Sequence, residues 1–319
     1  MTNSESYGKV AGVGLTESRL KRDIPDALVI TTDLGAVGFS HNPETQMGKH
    51  PANTFVTKLT RKQMDEIRDN ALKASEEGDP SIMTPYKRLS ELADAVVECR
   101  RCPRLVKFRE SVPPRKSFRS EVYWRRPVEG FGDPGASLVV IGLAPAAHGG
   151  NRTGRVFTGD ESGRFLVRAL YEAGYANQPT SEATGDGLVY TDCYVTAAVK
   201  CAPPHDKPTA EEFENCGSWL DSELRLLTKA REVVALGKGA FDAYLTYAKG
   251  HGAITKGLRF SHGKKYALGR LPTLYTSYHP SPRNTHTGKL TMKMLVALLA
   301  RIKRDNVLRS VPKKKREST

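Results

Sequence analysis

The sequence predicts an α/β fold in which a parallel sheet carries helices on both faces. Four short apolar segments are predicted to be buried strands, and a stretch with helical spacing follows each of them. Strand–helix alternation repeated four times is typical of such a sheet. Ligands of these sheets bind outside the carboxyl ends of the strands. We therefore expect a site where residues 143–160, 201–206 and 279–284 meet at one edge.

Each element follows from its local pattern. The apolar positions of 86–102 recur at helical spacing, which predicts a helix before the sheet. The predicted strands are 137–144, 194–200, 232–237 and 273–279. The predicted helices that follow them are 161–174, 209–227, 238–250 and 289–305. Thr209 and Glu212, three positions apart, have the pattern of a capping box at the start of the second of these helices.

The amino-terminal part differs from the rest. Residues 1–59 contain many turn residues and little periodicity, which predicts a poorly ordered extension, and a short surface helix is predicted over 60–78. We therefore divide the chain into a largely irregular extension over 1–84, an α/β domain over 85–306 and a basic tail over 307–319.

Positive charge is concentrated in the predicted α/β part of the chain. The formal net charge is +14, and residues 1–84 carry −2 of it, which leaves +16 for residues 85–319. A basic surplus of this kind favours a polyanionic partner, most simply nucleic acid, over lysines that only solvate the surface. Residues 301–319, with eight basic and two acidic side chains, are predicted to be a flexible arm that tethers the protein to DNA. The basic run within them also resembles a nuclear localisation signal.

The composition favours an intracellular protein. No apolar run approaches the ~20 residues of a membrane helix, and the amino terminus lacks the basic-then-apolar pattern of a secretory signal. We therefore expect a cytoplasmic, nucleoid-associated monomer that does not contact a membrane. Thiols in such a compartment stay reduced, so the five cysteines do not predict a disulfide framework.

Four of the cysteines form two pairs that predict a metal or cluster site. Cys99 and Cys102 form a C-x2-C pair at the end of a predicted helix, and Cys201 and Cys216 form a second pair that begins where a predicted strand ends. Paired thiolates bind zinc or an iron–sulfur cluster, and spacing alone does not separate the two. The alternative is four unrelated core cysteines, although the CRRC sequence makes a poor core. Cys193 is predicted to be a small buried hydrophobe.

Three motifs carry a resemblance to a known family. GLAPAAHGGNRTGRVFTGD covers 142–160, AVKCAPP covers 198–204 and HPSPRN covers 279–284. Together with the four cysteines in the right order, these motifs resemble those of family 5 uracil-DNA glycosylases. The resemblance covers roughly 85–305 and does not extend to 1–84.

The resemblance has implications for fold, cofactor and reaction. It implies a three-layer α/β/α sandwich around a central four-stranded parallel sheet, which agrees with the pattern above. It implies a 4Fe–4S cluster on the four paired cysteines, rather than zinc. The family hydrolyses the N-glycosidic bond of a deaminated base in DNA, such as uracil or hypoxanthine, and leaves an abasic site. The implied partner is double- or single-stranded DNA that holds such a base.

The first motif supplies the predicted wall of a base pocket. An enzyme of this kind must extrude the damaged nucleotide and hold it. Gly142, Ala144 and Ala146 belong to a loop of small residues that lets the backbone approach the base closely. Phe157 is predicted to stack on the base; an ordinary core phenylalanine is the alternative.

Two residues are predicted to be catalytic. Cleavage puts negative charge on the leaving base, and His279 at a strand end is placed to stabilise it, unless this histidine is only structural. Asp160 is predicted to stabilise the positive sugar or to orient water, to cap the following helix, or to do both. Related glycosylase families keep a polar group at the position of Leu143, so the acid is expected later in the motif.

The remaining candidates are predicted to contact the base or the DNA. His148, Asn151 and Asn284 are base-binding candidates, and Ser281 and Arg283 are DNA-binding candidates on the loop that, by resemblance, wedges into the duplex.

Two positions depart from the pattern of the resemblance. Ala197 stands where sister families carry a base-reading asparagine, which predicts relaxed selectivity. Asp206 stands near where an asparagine is expected, and its charge argues against a direct phosphate contact.

Two other functions stay open on the sequence. One is a non-catalytic protein that keeps the sheet and the cluster but only binds lesions. The other is a zinc-stabilised hydrolase of a different kind.

Overall fold

The fold is described from a computed structural model of the chain, which describes residues 27–32, 35–40 and 87–310, with side chains from 87 to 306. The chain divides into two compact units, Met1–Pro85 and Tyr86–Thr319. The predicted helix over 60–78 and the basic run at the carboxyl end of the tail lie outside the described residues.

The first unit contains a hairpin that the sequence analysis did not predict. Strands β1 (Ala27–Thr32) and β2 (Gly35–Ser40) pair antiparallel, with Ala27 opposite Ser40. The apolar and β-branched residues of ALVITT favour a strand. The turn residues around this segment obscured that short signal.

The second unit contains the α/β domain. Its strands are β3 (Phe131–Gly132), β4 (Leu138–Gly142), β5 (Cys193–Ala197), β6 (Glu232–Leu236), β7 (Lys265–Leu268) and β8 (Leu271–Ser277). Its helices are α1 (Leu89–Val97), α2 (Pro103–Ser111), α3 (Gly150–Thr153), α4 (Glu161–Glu172), α5 (Ala210–Leu226), α6 (Lys238–Gly250), α7 (Pro282–Thr285) and α8 (Met292–Ser310).

The sheet has the order β3-β5-β4-β6-β8-β7. The four central strands, β5, β4, β6 and β8, are parallel and are the four strands that the sequence predicted. β3 and β7 add antiparallel edges. Neither edge strand was predicted, because β3 has two residues and β7 is largely solvated, so neither produces an apolar run.

Helices cover both faces of the sheet, as predicted. Alternate residues of β4 point to opposite faces: Leu138 and Val140 pack in one core with α4 and α8, whereas Val139 and Ile141 pack in a second core with α5 and α6. Burial on both faces explains why the central strands are apolar throughout rather than alternating. The three-layer α/β/α prediction is confirmed.

The helix boundaries differ most from the prediction in two places. The helix predicted over 86–102 ends at Val97, and α2 begins at Pro103, so Cys99 and Cys102 lie in the turn between two helices and not at the end of one. Proline is favoured in the first turn of a helix and cannot continue one, which explains the restart. At the other end, α8 runs to Ser310, past the predicted end at 305.

Two smaller features were predicted correctly. The capping box of Thr209 and Glu212 at the start of α5 is present in both directions. Cys193 is fully buried, and it is the first residue of β5. Among the described residues, no helix is long and apolar enough to cross a membrane.

Candidate active site

A cavity of about 590 Å³ opens at the carboxyl ends of the parallel strands. Its lining draws on the three ranges that the sequence analysis expected to meet, 143–160, 201–206 and 279–284. The volume lies within the range of small-molecule sites, roughly 300–1,000 Å³. Convergence of loops from β4, β5 and β8 makes this cavity the candidate active site.

Phe157 lines the cavity and is held in an unusual conformation. Its backbone φ is +48°, in the left-handed region that bulky residues rarely adopt, at a cost of about 1–3 kcal/mol. A Cβ on Gly142 would lie 2.7 Å from the ring of Phe157, and a Cβ on Gly163 would collide with its carbonyl oxygen. Two glycines therefore make room for the ring and the backbone of Phe157. The small size of Gly142 serves this packing, whereas the sequence analysis assigned it to the approach of the base.

Asp160 both caps α4 and lines the cavity. Its Oδ1 accepts a hydrogen bond of 2.8 Å from the Gly163 amide. Burial raises the pKa of Asp160, while hydrogen bonds from the Gly163 and Ser162 amides act against that rise. A Cβ on Gly149 would overlap the other oxygen, Oδ2, so the glycine-rich loop lies directly against this carboxylate. The capping interpretation is confirmed, and the catalytic role stays a prediction.

His279 follows β8 and lines the same cavity. The centroids of its ring and the Phe157 ring lie 6.0 Å apart, with an angle of 32° between the planes. Burial lowers the pKa of His279 to about 4. The imidazole is therefore neutral at physiological pH, and a neutral imidazole donates one hydrogen bond.

The loop after His279 is held by its own hydrogen bonds. The Asn284 side-chain amide donates to the His279 carbonyl oxygen at 2.8 Å, and the Asn284 backbone amide donates to the Ser281 carbonyl. Ser281 lines the cavity. Asn284 does not, and Arg283 is exposed outside it. Asn284 therefore positions His279, a role that the sequence analysis did not give to it.

Asn151 also lies away from the cavity. It is fully buried, and its amide donates to the carbonyl oxygen of Arg109 at 3.1 Å. The side chain of Asn151 does not line the cavity in this structure, and its role as a base-binding residue stays a prediction. A motif position gives no direction for a side chain, and the short helix α3 turns this one inward.

The small-residue loop lines one side of the cavity. Ala144, Ala146 and His148 all contribute to the lining. Leu143 also lines it and packs against Gly239 of α6, where a Cβ would lie 2.5 Å from its Cδ1. The position that related families give to a polar group is therefore used for apolar packing here.

Two positions that depart from the resemblance also line the cavity. Ala197 is buried at the end of β5, and its methyl group offers no hydrogen bond to a ligand. Asp206 is exposed, with a left-handed φ of +54° that follows another at His205.

Several cavity residues were not predicted from the sequence. Arg115 and Phe118 come from the segment between α2 and β3, and Arg164 comes from the first turn of α4. The guanidinium of Arg152 lies 3.9 Å from the centre of the Phe118 ring and also donates to the Gly159 carbonyl at 3.0 Å. The basic, proline-containing sequence PPRKSFR was the signal available for this segment.

The four paired cysteines lie together in a separate buried cluster. Cys102, Cys201 and Cys216 are buried, and Cys99 packs against them. They come from the turn between α1 and α2, the loop after β5, and α5. Ala144 packs against the same cluster and lines the cavity, so the cysteines lie directly behind the cavity wall.

Polar donors surround these thiols. The buried Arg109 donates to the Cys201 sulfur at 2.9 Å and to the Cys99 carbonyl at 3.2 Å. The Lys200 amide lies 3.4 Å from the Cys216 sulfur. In the part of the chain that the structure describes, no three His, Cys, Asp or Glu side chains are arranged to hold a single metal ion.

A family model described as the uracil DNA glycosylase superfamily matches residues 129–303, more than half of the chain. The chain belongs to the uracil-DNA glycosylase superfamily. The matched residues contain the sheet, most of the cavity and the second cysteine pair.

Within this superfamily, the chain is similar to type-5 uracil-DNA glycosylases. It is 46% identical over 224 residues to one from Pyrobaculum aerophilum, which covers 70% of this chain and 96% of the relative. It is 50% identical over 208 residues to one from Thermus thermophilus, covering 65% and 93%. A type-4 uracil-DNA glycosylase of Pyrobaculum aerophilum is 30% identical over 151 residues, covering 47% and 60%. The resemblance to family 5 is confirmed.

Proposed function

We propose that the protein is a DNA glycosylase that excises uracil, and other deaminated bases such as hypoxanthine, from DNA. One observation carries the proposal: Phe157, Asp160 and His279 line one cavity at the strand ends of a uracil-DNA glycosylase superfamily domain. The cavity takes a base that has been extruded from the helix. Phe157 offers a stacking surface worth about 1–3 kcal/mol.

His279 stabilises the leaving base. When the N-glycosidic bond breaks, its electron pair stays on the base, and negative charge spreads to the base carbonyl oxygens. A neutral imidazole with a pKa of about 4 donates an N–H to that charge without giving up its proton. The hydrogen bond from Asn284 to the His279 carbonyl fixes the backbone from which the ring projects.

Asp160 acts on the sugar. Loss of the base leaves positive charge at the anomeric carbon, which a nearby carboxylate stabilises. The same carboxylate orients a water molecule, whose oxygen forms the new bond to that carbon; Asp160 accepts the water proton, and the departed base anion is neutralised by a proton in turn. The amide hydrogen bonds from the first turn of α4 hold Asp160 in one rotamer for this role.

The DNA backbone is bound by cations around the cavity. Arg115 and Arg164 line it, and Arg283 is exposed beside it on the loop after β8. Such phosphate contacts give affinity that falls with salt and does not depend on sequence. We propose that the protein binds DNA as a monomer.

The cysteine cluster holds a 4Fe–4S cluster in this proposal. The ligands are Cys99, Cys102, Cys201 and Cys216, and Arg109 offsets the negative charge of the thiolates. Four cysteine sulfurs with a buried guanidinium beside them are a donor set that fits such a cluster. A cluster bound there would connect the turn between α1 and α2 with α5 and the loop after β5.

The test is excision from a duplex that contains a single uracil, followed by alkali to cleave abasic sites. We expect strand breaks with uracil and weaker cleavage with hypoxanthine or xanthine. Binding without breaks on all three substrates would instead identify a non-catalytic lesion-binding protein.

A further inference from the structure

A buried tyrosine is hydrogen-bonded to the histidine of the small-residue loop. The Tyr123 hydroxyl lies 3.0 Å from Nδ1 of His148, and the two rings meet edge to face. His148 lines the cavity, whereas Tyr123 is 4% exposed and does not. The proposed chemistry of Phe157, Asp160 and His279 makes no use of Tyr123.

A third group fixes the direction of this hydrogen bond. The Arg115 backbone amide donates to the same Tyr123 hydroxyl at 3.3 Å. An amide only donates, so the hydroxyl oxygen accepts there and keeps its single hydrogen for another partner. Because Tyr123 is buried, a hydrogen not given to Nδ1 would be left without an acceptor. Nδ1 of His148 therefore accepts, and the ring proton is on Nε2.

The surroundings favour the neutral ring that this direction requires. Burial lowers the pKa of His148, and the charges of Arg115 and Arg152 lower it further. In the described part of the chain, Nε2 of His148 has no hydrogen-bond partner, and Nδ1 is the nitrogen that faces Tyr123. The Nε2–H is therefore free to bind a ligand in the cavity.

Both partners are held in place by the backbone. The amides of Trp124 and Arg125 donate to the carbonyls of Arg152 and Asn151, each at 3.0 Å, which fixes the loop segment that carries Tyr123. The Arg152 side chain donates to the His148 carbonyl at 2.9 Å. The geometry of the pair therefore does not depend on a ligand.

We propose that Tyr123 holds His148 as an Nε2–H donor that selects bases carrying a carbonyl where the undamaged base carries an amino group. This inference rests on the proposed glycosylase function and names its selection rule. Deamination replaces a donor with an acceptor: the exocyclic amine of cytosine or adenine becomes the O4 of uracil or the O6 of hypoxanthine. A fixed N–H donor forms a hydrogen bond with the carbonyl oxygen. It forms none with the amine, which is itself a donor. His148 is then a specificity residue, and Tyr123 is a positioning residue that acts through it.

The first experiment reads the tautomer without any activity. Protein labelled with ¹⁵N at histidine is studied by long-range ¹H–¹⁵N correlation at neutral pH, with His148→Gln to assign the signal. We expect a protonated Nε2 and an unprotonated Nδ1 in the wild type, and a mixture of tautomers in Tyr123→Phe. Tyr244→Phe is the matched control, because Tyr244 is also buried and its hydroxyl donates to the Pro272 carbonyl at 2.9 Å. A wild-type ring protonated at Nδ1 would overturn the inference.

The second experiment measures selection by single-turnover excision of uracil and of 4-thiouracil. Sulfur is a weak acceptor, so the wild type should lose about tenfold in rate on the thio substrate as a result of the lost hydrogen bond. The ratio of the uracil rate to the 4-thiouracil rate is the measure of selection. His148→Ala should reduce this ratio about tenfold, Tyr123→Phe should reduce it partly, and Tyr244→Phe should leave it unchanged. Equal ratios in all four proteins would refute the selection rule. A wild type that fails to release uracil would instead refute the glycosylase function, while the tautomer measurement would still stand.

Discussion

The rings of Phe157 and His279 lie 6.0 Å apart at the candidate active site, although 122 positions separate them in the sequence. Each ring depends on its backbone. Phe157 has a φ of +48°, and two glycines make room for its ring and its carbonyl oxygen, while the His279 carbonyl is held by Asn284. The groups that we propose to stack on the base and to stabilise its leaving charge are therefore both positioned by the fold itself.

The two roles of Asp160 are separated by Asp160→Asn. Asparagine is as good an N-cap as aspartate, so the free energy of unfolding should change by less than about 0.5 kcal/mol. Loss of the charge should lower the single-turnover rate of uracil excision by about 100-fold or more. Chemical denaturation and quenched-flow excision measure the two effects. A rate near that of the wild type would show that Asp160 is only a cap.

Gly149→Ala should damage the site without damaging the fold. The added Cβ would overlap Oδ2 of Asp160 and push the carboxylate away from its position. We expect the excision rate to fall about tenfold or more, because a displacement of about 1 Å in a catalytic group is costly. Gly250→Ala is the control, since nothing lies within 4 Å of its Cβ. Similar rates in the two variants would contradict this account of Gly149.

The half-buried His279 should make the free energy of unfolding depend on pH. Its pKa is about 4 in the folded protein, below the ~6.5 of the unfolded chain, so the unfolded state binds more protons between these values. The contribution of the neutral His279 to the free energy of unfolding is complete above about pH 6.5 and is lost as the pH falls towards 4. Relative to His279→Gln, the wild type should lose about 2 kcal/mol of unfolding free energy between pH 7 and pH 4.5. Urea denaturation at both pH values measures this difference, and parallel losses in the two proteins would contradict it.

The cysteines offer their own control for the cluster. Replacing Cys99, Cys102, Cys201 or Cys216 by alanine should abolish the visible charge-transfer absorbance and reduce iron and sulfide in anaerobically purified protein. Cys193→Ala should keep both, because Cys193 lies in the core around α4 and α8, away from the other four. Zinc in place of iron in the wild type would contradict the 4Fe–4S proposal.

The fold was predictable from the sequence where the signal is local. Burial on both faces produces the apolar runs of β4, β5, β6 and β8, and the helical periodicity between them follows from amphipathic packing. The edge strands β3 and β7 were not predictable, because a short or solvated strand is specified by its neighbour rather than by its own residues.

The candidate site was predictable in part. The motifs correctly indicated that Phe157, Asp160 and His279 meet, because strand ends of a parallel sheet converge. They did not indicate that Asn151 turns into the core, or that Arg115 and Phe118 join the cavity from a segment outside the motifs.

The sequence by itself determined the alternating fold, the family and the identity of the groups that can do chemistry, since periodicity and motif spacing are properties of the chain. The tertiary structure decided which of those groups face one another. The contact of Gly149 with Asp160 and the hydrogen bond of Tyr123 to His148 depend on how separate segments cross. Side-chain direction at such crossings is set by packing and hydrogen bonding over the whole domain, which no local pattern records.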